Sequence, residues 1–237
     1  MAEAAAAAGM DAKVPTCPDW RVRDLLQHTG KVHRFAALVV SEQLPQRPRG
    51  EQYAAQIWNW PDSDDELLDW FREGHARLID VLKNADPATQ CWTFHPVPSP
   101  VEFWARRQAH ETTIHRIDAE TANRAPTPVS AGLAADGIDE ILRNFFTSRN
   151  PVVTAEPPRT LAVRAVDTGD AWLATIGPEG VSTVRGYGTA DCTVTGNASD
   201  LYALLWNRRD PHGLTVAGDV SVLGLWRSQA HVVWPWE

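Results

Sequence analysis

The hydrophobic pattern of this chain changes period once, near residue 150, and that change restricts the folds open to it. Before it, apolar residues recur at helical spacing. In RVRDLLQHTGKVHRFAALVVSEQL, Leu25, Val32, Phe35, Ala36 and Val39 line one side of a helix that follows the turn TCPDW. PDSDDELLDWFREGHARLIDVLKNADP is a second helix, with Asp62 or Ser63 as its cap, acids in its first turn and Pro87 just beyond its end. SPVEFWARRQAHETTIHRIDAETANR is a third, opened by Ser99 with Pro100 in the first helical position. AGLAADGIDEILRNFFTSR is a fourth apolar-periodic segment. After PVVTAEPPRT, a linker by its proline content, the runs LAVRAVDT, AWLATIG, VSTVRGYG and DCTVTG are short, β-branched and separated by Gly, Asp and Pro, as in a meander. NASDLYALLWNRR and VSVLGLWRSQA read as helices, and GLTVAGD between them as a strand. The expected architecture is α+β in two domains: a helical bundle over 1–150 and a small α+β domain over 151–237.

Within the third helix, AHETTIHRIDAE sets His110 and His115 five residues apart. A zinc-protease helix needs them four apart, and here they stand about 140° apart on the helical wheel. Glu111 and His115 do share a face, about 40° apart. That face also carries Trp104, Asp118 and Ala122, and charge at such a position in a bundle is costly unless it is paired or metal-bound. On the first long helix His28 lies within about 60° of the apolar stripe, whereas His33 falls nearer its edge. An inward imidazole facing Glu111 and His115 makes a two-nitrogen, one-oxygen donor set that suits zinc or another divalent metal with a position left open. His33, His75 and His110 are expected to be non-ligands.

The segment CPDWRVRDLLQHTGKVHR, with FWARRQAHETTIHRIDAE far downstream, resembles the maleylpyruvate isomerase and mycothiol-dependent enzyme family, built on the DinB-like four-helix bundle. DTGDAWLATIG, ADCTVTGNASDLYALLWNRR and LTVAGDVSVLGLWR resemble that family's small C-terminal α+β domain. The resemblance implies a metal ligand eight residues after the tryptophan of the turn, which is His28, and a Glu/His pair four apart, which is Glu111 and His115. It also implies a full-length first helix, where this chain has only AEAAAAAGM, about two and a half turns. A late start codon, a partner chain in a homo-oligomer, or the fourth apolar segment is expected to cover the difference.

A metal with three protein ligands can bind a thiol and lower its pKa. The resemblance implies that mycothiol is that thiol and attacks a small electrophile, with transfer or cis–trans isomerisation as the outcome. Transfer asks for less of the site and ranks first. Water activation would instead need a base, for which Asp118 is the candidate, and a salt bridge to an arginine is its plainer role. Arg107, one turn before Glu111, and Arg227, in the last helix, are candidate holders of a substrate carboxylate; Trp20 and Trp104 are candidate pocket walls. The alternative function is a non-catalytic metal-binding module.

Charge and cysteines limit the setting. A net charge of −8 without a basic stripe argues against nucleic acid. The three cysteines, Cys17, Cys91 and Cys192, are scattered and suit a reducing cytoplasm, with Cys17 structural. AEAAAAAGM is not a signal peptide, and no run is long enough to span a membrane.

Overall fold

The computed structural model describes residues 1–147 and 152–231. They fall into two compact units, Met1–Thr127 and Pro128–Glu237. The boundary expected at 150/151 lies outside the described residues, and the units divide instead at Thr127/Pro128, in the proline-containing break APTPVS.

The first unit is helical. Three long helices carry it: α2 (Val22–Ser41), α4 (Asp64–Asn84) and α5 (Pro100–Thr121), with a two-turn α1 (Ala2–Ala8) ahead of them and a short α3 (Glu51–Ile57) in the α2–α4 connection. α3 was not evident in the sequence, because EQYAAQI offers no apolar stripe. Asp64, Asp65 and Glu66 fill the first turn of α4, where the positive end of the helix dipole favours them. Pro100 opens α5, its missing N–H falling where a helix has no acceptor for one. Short as α1 is, its Ala5 is fully buried in a core with Met10, Val14, Leu25, Leu26, Leu67 and Phe71. α2 and α4 approach closely at Gly30, where an added Cβ would overlap the Trp70 ring. Arg34 stacks on the same ring at 3.7 Å and donates to the Trp70 carbonyl at 2.6 Å. Among the described residues, no helix is long and apolar enough to cross a membrane.

The second unit begins with α6 (Ala131–Glu140), which runs into one turn of π-helix, Ile141–Phe145. This is the fourth apolar segment; Ser148 and Arg149 at its end lie outside the described residues. Its buried residues include Ala134, Ala135 and Ile138, and within this unit it packs on α7 (Ala198–Leu205). Apolar periodicity marks a helix as buried without saying which neighbour buries it.

The sheet contains β1 (Arg159–Ala165), β2 (Ala171–Gly177), β3 (Gly180–Arg185), β4 (Cys192–Gly196) and β5 (Thr215–Gly218) in the order β3-β2-β1-β4-β5. β1 to β3 form the expected meander, but β4 leaves it to pair in parallel with β1. That makes β1 the central strand and explains its consecutive apolar residues Leu161, Ala162 and Val163, which are buried in both directions. α8 (Val220–Gln229) starts at Asp219, whose carboxylate accepts from the Ser221 N–H. Asp139 of α6 accepts from Trp172 Nε1 (3.1 Å), Arg185 Nε (2.7 Å) and Arg143 Nη1 (3.2 Å), tying helix to sheet.

Candidate metal centre

α2 and α5 bring three of the sequence-selected side chains together. His28 Nε2 lies 3.2 Å and His115 Nε2 3.3 Å from the same carboxylate oxygen of Glu111, Oε1. One ligand atom from each residue falls within 4.8 Å of the other two. Tetrahedral ligands held at about 2.1 Å from a metal stand roughly 3.4 Å apart, so the two edges at Glu111 are compatible with such a site. The donor set, two imidazoles and one carboxylate, fits a divalent cation of zinc type.

The surroundings aim these donors. Asp118, fully buried one turn beyond His115, accepts from His115 Nδ1 at 2.8 Å. This is the carboxylate–histidine arrangement that fixes a ligand's tautomer and leaves Nε2 for the metal. Asp118 is itself held by Thr16, whose hydroxyl donates to its other oxygen at 2.5 Å, with Cys17 Sγ 3.8 Å from Oδ2. The TCPDW turn therefore reaches the centre through Asp118. The turn is pinned by Val14 donating to the Trp20 carbonyl (3.0 Å) and by a bridge between Lys13 and Arg21. Trp20 lies against both imidazoles, its ring centroid 4.8 Å from that of His28 and 6.0 Å from that of His115. The sequence offered Asp118 as a base or an arginine's partner; the structure sets it against His115 and Thr16. Its spacing of three from His115 on one helix was the signal available for it.

Electrostatics follow from these contacts. Burial opposes ionisation of Glu111, but hydrogen bonds from His115 and His28 and the charge of Arg107 hold its carboxyl well below the usual range. Burial also opposes the charged form of His115, yet Asp118 and Glu111 outweigh it and raise its pKa to about 9. His28 shifts the other way, lowered chiefly by burial.

The remaining selected residues take different places. Arg107 is buried, and its Nη2 pairs with the second oxygen of Glu111 at 3.1 Å, so it supports the cluster's carboxylate. Trp104 packs away from the imidazoles among Phe35, Trp92, Phe94 and Phe103, and its indole N–H donates to the Trp92 carbonyl at 2.8 Å. Arg227 belongs to α8 of the second unit, where its Nη2 donates to the Arg209 carbonyl at 3.4 Å. His33 pairs with Thr112 through Nε2 at 2.9 Å, His75 is exposed, and His110 is fully buried; none is part of the cluster.

A helical unit with a buried two-imidazole, one-carboxylate centre, followed by an α+β unit, defines a two-domain protein whose candidate chemistry resides in its helical half. The chain belongs to the mycothiol maleylpyruvate isomerase family: the model of that family's N-terminal domain matches residues 1–120 and that of its C-terminal domain residues 132–225. The crystal structure of the mycothiol-dependent maleylpyruvate isomerase shares the fold, with a TM-score of 0.60 at 11% identity over 91% of this chain and 86% of that one. A mutant of the same enzyme, with one histidine replaced by alanine, matches equally, at TM-score 0.60, 11% identity and the same coverage. No curated protein matches the sequence.

Proposed function

We propose that this enzyme of the mycothiol maleylpyruvate isomerase kind holds a divalent metal on His28, Glu111 and His115 and uses it to direct a small thiol, mycothiol, at an electrophilic substrate. The observation that carries the reading is the convergence of two imidazole nitrogens on one oxygen of a buried glutamate. A metal held by three protein ligands lowers the pKa of a bound thiol and supplies thiolate at neutral pH. The chain's own residues do the rest. Asp118 aims His115, Arg107 holds the far oxygen of Glu111, and Trp20 covers the two rings and keeps water from that side. Cys17 lies against Asp118 rather than among the ligand atoms, which leaves the nucleophile's role to the small thiol.

Attack of the thiolate on an electrophilic carbon is common to both outcomes. If the adduct rotates and expels the thiol, a cis double bond becomes trans; if the adduct leaves, the thiol has been transferred. Family membership favours isomerisation over the transfer that the sequence reading ranked first. Both partners are small molecules, the net charge of −8 disfavours polyanions, and three cysteines outside any disulfide suit a reducing cytoplasm.

The test supplies mycothiol with maleylpyruvate, and separately with a generic electrophile, with and without a chelator. Isomer formation or thiol consumption should cease in the chelated protein and in Glu111→Gln. Turnover that survives both changes would refute the reading and leave a binding module in its place.

A further inference from the structure

Gln108 on α5 is 3% exposed, yet neither its carboxamide oxygen nor its nitrogen has a hydrogen-bond partner among the described residues. Two unmet groups of this kind destabilise a fold, whereas an apolar side chain of equal volume at the same position would not. At 100° per residue Gln108 stands about 60° from Glu111 and about 20° from His115 on the helix, and so shares their inward stripe. A rise of 1.5 Å per residue puts its backbone about 4.5 Å along the axis from that of Glu111. The facing helix holds a second such atom, at His33. His33 is fully buried and binds Thr112 through Nε2 at 2.9 Å, but its Nδ1 has no partner. Burial lowers the pKa of His33 to about 3, so its ring is neutral. The α2–α5 seam thus carries neutral hydrogen-bonding groups whose complements are not supplied by the described residues.

We infer that Gln108 recognises a neutral amide or hydroxyl group of the thiol co-substrate, bound alongside His28, Glu111 and His115; the inference rests on the thiol reading above. A carboxamide donates and accepts together, which is the complement of another amide. In a cysteine-derived thiol the nearest amide atoms lie three bonds from the sulfur, and that reach is comparable with the offset between Glu111 and Gln108. A carboxylate would be matched poorly here, because neither Gln108 nor neutral His33 supplies charge to offset its desolvation. The residue thus selects for an amide-bearing thiol over a bare one.

The experiment uses the zinc-loaded full chain and two probes, mycothiol and 2-mercaptoethanol, the second a thiol without an amide. Gln108→Met keeps the volume and removes the polar groups. Its melting temperature should equal or exceed that of the wild type, its affinity for mycothiol should fall about tenfold, and its affinity for 2-mercaptoethanol should stay within twofold. Gln108→Leu, which removes the same groups with a different shape, should behave alike. Mycothiol affinity within twofold of wild type would overturn the inference and leave the thiol reading standing. So would equal weakening of both thiols, or a lowered melting temperature, since each means that the carboxamide serves the fold. A wild type that binds neither probe refutes the thiol reading and this inference with it.

Discussion

Replacing Asp118 with asparagine separates the charge of the buried carboxylate from its shape. The side chain is fully buried, takes His115 Nδ1 at 2.8 Å on one oxygen and Thr16 Oγ1 at 2.5 Å on the other. Asparagine fits the same space, and its oxygen can still accept from His115 while its NH2 turns toward Thr16, whose hydroxyl can accept. The ring stays aimed, and what disappears is the negative charge. Loss of such a partner typically costs 10–100-fold in metal affinity, about 1.4–2.7 kcal/mol. A second effect opposes it. With the pKa of His115 raised to about 9, its proton competes with the metal by about 100-fold at pH 7. In Asp118→Asn the part of that rise due to Asp118 is lost while Glu111's part remains, so the competition weakens. The full 10–100-fold loss should therefore appear only above pH 9, and at pH 7 the relieved competition should offset part of it or reverse it. Zinc affinity measured in chelator-buffered solution at pH 7 and pH 9.5 gives both values. Equal affinities at pH 9.5, or the same gap at both pH values, would refute this account of Asp118.

Three further outcomes are expected. His28→Ala should lose most bound zinc by elemental analysis while its far-ultraviolet circular dichroism stays near that of the wild type, because the removed ring is a donor and not a major part of the core. Gly30→Ala should gain up to about 1 kcal/mol of helix propensity but lose about 1–3 kcal/mol by overlapping the Trp70 ring, giving a net fall in urea stability; a rise would show that Trp70 moves aside at little cost. In the second unit, Asp139→Asn should destabilise by about 1–2 kcal/mol, a modest figure because Arg143 and Arg185 are half exposed. Despite the opposing effect of burial, hydrogen bonds from Arg185, Trp172 and Arg143 lower the folded-state pKa of Asp139. Its contribution is therefore full above the unfolded carboxyl pKa, near 3.9, and is lost as pH falls through the folded value, so wild type and variant should converge in stability only in strong acid.

The sequence by itself determined whatever depends on local period. It placed Glu111 and His115 on one helix face, turned His28 inward, and marked the change from helical spacing to short β-branched runs, because 100° per residue in a helix and alternation in a strand are properties of the backbone alone. Only tertiary packing decided which faces met. Asp118 shares a helix with His115, but the second hold on its carboxylate came from Thr16 in a turn more than 100 residues away. Trp104 lies on the same stretch of α5 as the cluster, yet four other aromatic rings drew it into the core beside Trp92. The segment 131–145 reads as a bundle helix by its period, but its apolar face found α7 of the second unit. β4 follows β3 in the chain, but it paired with β1, whose consecutive apolar residues needed cover from both neighbours. A one-dimensional pattern states that a face must be buried; the partner is chosen by the free energy of the whole packed structure.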